Sequence, residues 1–110
     1  MTPLGAVKTV TAAGTPEVLT TSDIVATRIW VQPMRALSAL GTSPVLNTGF
    51  VYLKTGTVAK GTGSTDIILA VDPNALTAIP LESAMRDGWH LNRIYIDADN
   101  SGDGVLISYA

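Results

Sequence analysis

Apolar and polar residues alternate along several short stretches of this chain. On a β-strand, successive side chains point to opposite faces, so each such stretch defines an inward and an outward side. In 25–33, Val25, Ile29 and Val31 share one face, and Arg28, Trp30 and Gln32 the other. In 49–55, Val51 and Leu53 oppose Phe50, Tyr52 and Lys54; in 91–97, Ile94 and Ile96 oppose Arg93, Tyr95 and Asp97. Near the end, Val105, Ile107 and Tyr109 alternate with Leu106 and Ser108. Turn residues separate these runs, as in Ala13-Gly14-Thr15-Pro16, Asn47-Thr48-Gly49, Gly61-Thr62-Gly63-Ser64, Asp72-Pro73-Asn74 and Asp87-Gly88. Thr and Val are abundant and Glu and Lys scarce, which suits pleated surfaces better than exposed helices.

The pattern predicts an all-β antiparallel sandwich or barrel with strands at 6–12, 17–20, 25–33, 49–55, 57–60, 66–71, 89–98 and 104–109. The expected core is Val25, Ile29, Val31, Val51, Leu53, Ile67, Leu69, Ile94, Ile96, Val105 and Ile107. Two segments fit strands poorly. Residues 34–48 read as a long apolar-containing loop, with room for one helical turn at 35–40. Residues 80–88 start with Pro and end with Gly, which suits one or two helical turns, with a strand plus loop as the alternative.

Composition narrows the function classes. The 110 residues fit one domain, 1–110. Charged residues make up 15%, well below the roughly 25% of ordinary soluble domains. A surface with few ions is easier to bury against a partner, because less charge must be desolvated. The net charge is −2, so nothing favours phosphate neutralisation, and no nucleic-acid partner is expected. Cysteine is absent, which removes disulfides and thiolate metal sites. MTPLGAVKTV lacks the long apolar run of a secretory signal, and no apolar stretch is long enough to span a bilayer, so no membrane partner is expected.

Asp97-Ala98-Asp99-Asn100-Ser101-Gly102-Asp103-Gly104 begins like a calcium loop, with acids at positions one and three, Ser at five and Gly at six. Its flanks, LNRIYI and VLISYA, have strand periodicity, and Ser108 stands where such a loop needs a bidentate Glu. The stretch therefore reads as a hairpin turn, with a weak metal site at Asp97, Asp99 and Asp103 as the alternative. On the turn reading the three acids are solvated and ionised, and their replacement by Asn leaves folding nearly unchanged. Gly61-Thr62-Gly63-Ser64-Thr65 lacks the Lys and the following helix of a phosphate loop. His90, the single histidine, has no nucleophile or relay partner marked in sequence and reads as structural beside Trp89. No enzymatic activity and no cofactor are expected.

On the outward faces, Arg28 with Trp30, Tyr52 with Lys54, and Arg93 with Tyr95 pair an aromatic with a cation two residues apart. Trp, Tyr and Arg are the usual energetic anchors of interfaces, although the same aromatics could instead line a second core layer. With the loop residues Met34, Leu37 and Leu40, Arg28, Trp30, Tyr52, Arg93 and Tyr95 are the candidate contact residues. The loop at 34–48 and an N-terminal arm at 1–8 are the candidate reaching segments, carrying Leu4, Val7 and Leu46 as well.

Four segments carry a family resemblance: AAGTPEVLT at 12–20, VATRIWVQP at 25–33, NTGFVYLKTG at 47–56, and DGWHLNRIYIDADNSGDGVLISYA at 87–110. Their order resembles the small capsid decoration, or cement ("staple"), proteins of tailed bacteriophages. The shared features are a GT-P-x-x-L opening, an N-x-G-x-V-Y strand and a last hairpin with a Tyr in each strand, with 34–46 as an insertion. The resemblance implies a jelly-roll-like β-sandwich on the outer surface of an icosahedral virion, made in the host cytoplasm. Its partners would be the major capsid protein and itself, as a homo-oligomer with a dimer favoured over a trimer. It would bridge neighbouring capsid subunits and reinforce the shell, without catalytic residues. The rival reading is a carbohydrate-binding β-sandwich of a fibre, tail or lectin type. Trp30, Trp89 and Tyr52 would then be stacking platforms and the Asp97–Asp103 loop a calcium site.

Overall fold

The computed structural model describes residues 2–37, 44–55, 67–75, 77–82 and 88–110. It is an all-β sandwich of two antiparallel sheets. Sheet A is built on the longest alternating strands. β5 (Arg28–Pro33) and β13 (Gly104–Tyr109) pair at its centre, with Val31 opposite Ile107. β10 (Ile79–Glu82) adds beyond β5, while β1 (Thr2–Pro3) and β2 (Lys8–Thr9) both pair with β13. Sheet B runs β3 (Glu17–Val18), β12 (Tyr95–Ala98), β8 (Val51–Lys54) and β9 (Ile67–Val71). Two short ribbons complete the fold: β4 (Val25–Ala26) with β11 (Trp89–His90), and β6 (Ala36–Leu37) with β7 (Pro44–Val45).

The inward residues of both sheets meet in one core. Ile29, Val31, Val105 and Ile107 come from sheet A, and Val51, Leu53, Val71, Ile96 and Ala98 from sheet B. Val10, Leu19, Ala26, Leu91 and Ile94 close its ends. Burying each aliphatic side chain is worth about 1.5–3 kcal/mol, so this cluster is the main force holding the sheets together.

Several expectations are corrected. Val25 is 53% exposed, and Ala26 is buried in its place. The strand expected over 25–33 breaks at Thr27, whose N–H and hydroxyl both donate to Ala110 O, and the break reverses the phase of β4. Gly88, with φ at +77°, leads into β11, where a Cβ would sit 2.6 Å from Ala26 O; only glycine fits this approach. The strand expected over 89–98 is divided by a 3₁₀ turn at Leu91–Arg93. Lys54, assigned outward, is fully buried, because the register with β9 shifts at Leu53/Lys54. Ile67 and Leu69 are only half-buried on the last strand of sheet B.

Residues 79–82, partly within the segment read as helical turns, form a strand paired with β5, as in the alternative reading. Ala36 and Leu37, inside the suggested turn at 35–40, pair with Val45 and Pro44 as a ribbon. The strand expected at 57–60 and the turn at 61–65 lie outside the described residues. The N-terminal stretch, named above as a candidate arm, lies along β13 of its own chain from Thr2 to Thr9.

Candidate functional site

The acidic stretch 97–104 is not the turn of a hairpin. Ala98 ends β12 in sheet B, opposite Val51, and Gly104 begins β13 in sheet A, opposite Thr9. The segment carries the chain from one sheet to the other. Its backbone is pinned on both sides, with Asp99 N–H donating to Phe50 O at 3.0 Å and Gly102 N–H to Val10 O at 2.8 Å.

Two of its acids are therefore interior anchors, not solvated tips. Asp97 is fully buried and accepts from Gly14 N–H at 2.8 Å and from Ala98 N–H at 2.8 Å. Asp103 is fully buried and accepts from Thr48 N–H and hydroxyl, each at 3.0 Å, and from Gly49 N–H at 2.9 Å. The Arg35 guanidinium stands 3.6 Å from it. Asp99 is exposed and accepts from the Tyr52 hydroxyl at 3.1 Å. The three carboxylates point to different partners. Among the described residues, no three His, Cys, Asp or Glu side chains gather in a group that could hold a metal ion.

The same junction roots the ribbon β6–β7. Asn47 is buried, and its carboxamide binds Gly104 at both ends: Oδ1 accepts from the N–H and Nδ2 donates to the carbonyl, each at 2.9 Å. Met34 N–H donates to the same carbonyl, and Arg35 N–H donates to Val45 O at 2.9 Å. These bonds tie both feet of the ribbon to the start of β13. Beyond the feet the side chains turn apolar and exposed. Leu37 is 46% exposed, Val45 43% and Leu46 42%.

The other candidate contact residues divide. Met34 is 1% exposed and belongs to the ribbon's root; its side chain is committed to the interior and is withdrawn as a contact residue. Leu40 lies outside the described residues. Arg28 is exposed, forms an ion pair with Glu82, and lies over the Trp30 ring with 5.7 Å to the centroid. With Thr27 and Ala110 these residues line an open recess of about 380 Å³. Tyr52 is half-buried and stacks on the exposed Phe50, with centroids 6.5 Å apart. Burial pushes the Tyr52 phenol up from its ordinary value of 10.0, helped by the hydrogen bond to Asp99 and the charges of Asp99 and Asp97.

The cation–aromatic pairing expected at two other places does not form as drawn. Lys54 lies inside the fold, away from the surface that Tyr52 and Phe50 share. Arg93 belongs to the 3₁₀ turn and Tyr95 to β12, so they are not neighbours on one strand face. Arg93 instead lines a recess of about 270 Å³ with Trp89, His90, Ile94, Thr55 and Gly88. Trp89 donates its indole N–H to Leu81 O at 3.3 Å. Phe50, placed on the outward face by the sequence pattern, is 41% exposed, but sequence reasoning counted neither it nor Val45 among the candidate contact residues. The run Pro44-Val45-Leu46 next to the polar Asn47-Thr48-Gly49 was the available signal.

Compared with protein-family models, with curated proteins and with solved structures, the chain matches none of them.

Proposed function

We propose that this protein is a non-enzymatic virion component that binds the outer surface of an icosahedral phage head and bridges neighbouring major capsid subunits. The observation that carries the reading is the ribbon β6–β7. Three aliphatic side chains stand at its exposed part, while its feet are locked to the sandwich by buried hydrogen bonds from Asn47 and Asp103. A rigidly rooted apolar projection loses little conformational freedom on docking, which favours binding. Completing the burial of Leu37, Val45 and Leu46 is worth about 2–4 kcal/mol per site. A protein that contacts two capsid subunits engages the second at high effective concentration, and each bound copy stabilises the assembled shell over free subunits. The resemblance of segments 12–20, 25–33, 47–56 and 87–110 to cement proteins supplies the identity of the partner.

The carbohydrate reading draws less support. One face of Trp30 is occupied by Arg28, and the Trp89 indole is held by Leu81 O. Trp30 is thus covered on one face, and the Trp89 indole N–H is already committed within the fold, although its ring lines the recess beside His90 and Arg93.

The test is sedimentation of the purified chain with phage heads assembled without it. The reading expects saturable binding and heads that resist heating longer. Leu37→Glu combined with Leu46→Glu should weaken binding at least tenfold, about 1.4 kcal/mol, with the fold intact. Failure of the native chain to bind heads sinks the reading.

A further inference from the structure

The edges of the two sheets are not alike. A free strand edge is a template for pairing with another chain, and proteins blunt it with charge, proline or brevity. In sheet A, β10 carries Pro80 and Glu82, β1 is two residues long and includes Pro3, and β2 is two residues long and includes Lys8. In sheet B, β3 is two residues long, and its Glu17 is paired with Lys8. Among the described residues, the remaining edge strand has none of these devices between its first and last residue. β9 reads Ile67-Ile68-Leu69-Ala70-Val71, without charge, proline or glycine, and among the described residues it pairs with β8 alone. Charges flank the strand at both ends, with Asp66 directly before Ile67 in the sequence and Asp72 in the turn that follows, where it accepts from Asn74 N–H at 2.8 Å.

We propose that β9 pairs with β9 of a second copy of this chain, antiparallel about a two-fold axis, joining two four-stranded sheets into one of eight strands. An antiparallel pair is its own symmetry mate, so the same uncharged strand supplies both sides of the contact. The strand residues themselves bring no charge to the seam, and an axis at Ile68 or Ala70 keeps Asp66 of one copy from standing opposite Asp72 of the other. The assembly closes at two copies, because the far edge of sheet B is the short, charged β3. Side chains extend the contact beyond the backbone. Ile67, Ile68 and Leu69 are partly buried in the single chain, Ile68 and Leu69 against the core, and Ala70 is exposed beside its register partner Tyr52. This inference is independent of whatever the β6–β7 ribbon binds, so dimerisation and head binding can fail separately.

The test is sedimentation equilibrium of the full chain across a wide concentration range. The native chain should form a dimer, and Ala70→Lys should return it to a monomer with an unchanged β-sheet spectrum. A second measurement does not depend on that variant. The chain has no cysteine, so a single Cys placed in turn at 68, 69 and 70 reports only intermolecular proximity. Directly opposed residues of antiparallel strands have Cα atoms within disulfide range. Mild oxidation should cross-link one of the three positions strongly, marking the axis, and its neighbours weakly. A native chain that stays monomeric, a dimer that survives Ala70→Lys, or equal and slow cross-linking at all three positions would each overturn the proposal.

Discussion

Asp103 binds Thr48 twice, through its backbone N–H and its hydroxyl, and does so from a fully buried position. The same carboxylate accepts from Gly49 N–H and faces Arg35, so one side chain fixes the inter-sheet connection against the foot of the exposed ribbon. Asp103→Ala leaves these donors without a buried acceptor and should destabilise the fold by about 3 kcal/mol or more. Asp103→Asn keeps the shape but turns an N–H₂ group toward N–H donors, and should cost roughly 2 kcal/mol. Urea denaturation measures both. Asp99→Asn, at an exposed site, should change stability by less than about 0.5 kcal/mol.

That contrast shows where sequence reading succeeded and where it stopped. The strand character on both sides of Asp97–Gly104 was legible, because Ile94 and Ile96 on one side and Val105 and Ile107 on the other alternate cleanly and all are buried. Whether those strands pair with each other or belong to opposite sheets is set by long-range pairing, with β12 beside β8 and β13 beside β5. Local turn chemistry serves both arrangements equally well. Period-two patterns also fail wherever the phase slips, at Thr27, at the 3₁₀ turn Leu91–Arg93 and at the irregularity beside Lys54, since a shift of one residue exchanges the faces. The ribbon was visible as an apolar stretch in a loop. Its rigid root was not, because Asn47 and Asp103 meet Gly104 and Thr48 only in three dimensions.

The arrangement of Asp97, Asp99 and Asp103 predicts indifference to calcium. Two of the carboxylates are engaged by backbone N–H groups, and the third holds the Tyr52 hydroxyl. Binding an ion would require breaking the bonds that join the sheets. The melting temperature should be the same in millimolar calcium and in EDTA. A rise with calcium that Asp99→Asn abolishes would return the metal reading.

Glu17 couples β3 to the start of the chain and to pH. Burial alone would raise its carboxyl, but the Thr11 N–H, the Lys8 ammonium and the Thr11 hydroxyl outweigh it, and the pKa falls below its ordinary 4.5. A carboxylate whose pKa is lowered by folding adds stability that is fully present above the unfolded value and lost as pH falls through the folded one. Native protein should lose stability below about pH 4.5 more steeply than Glu17→Gln, and the two should converge at lower pH. Denaturant melts at a series of pH values give the comparison. The contribution should also shrink in high salt, because the Lys8 pair is partly solvated.

Tyr52 carries the opposite sign. Its raised pKa means that folding favours the neutral phenol, so its contribution is complete below pH 10.0 and disappears as pH rises through the folded value. Asp99→Asn removes the charged acceptor but leaves the burial, which is the larger cause. The Tyr52 phenol should therefore move down in that variant without reaching its ordinary value. Titration followed by the Tyr52 ring-proton resonances would show it.

Gly104 is the point where three parts of the fold meet. Its N–H and carbonyl are both held by the Asn47 carboxamide, Met34 N–H reaches the same carbonyl, and Lys8 O occupies the space a side chain would need. A Cβ at this position would overlap Lys8 O and press on Thr9 Cα at 2.9 Å. The obstruction is backbone on a paired strand, which cannot yield as a flexible side chain would. Gly104→Ala should destabilise the domain by about 2–3 kcal/mol. It should also speed proteolytic cleavage of both the N-terminal strands and the β6–β7 ribbon, because the displaced residue holds both. Cleavage confined to one of the two segments would show that they are anchored separately.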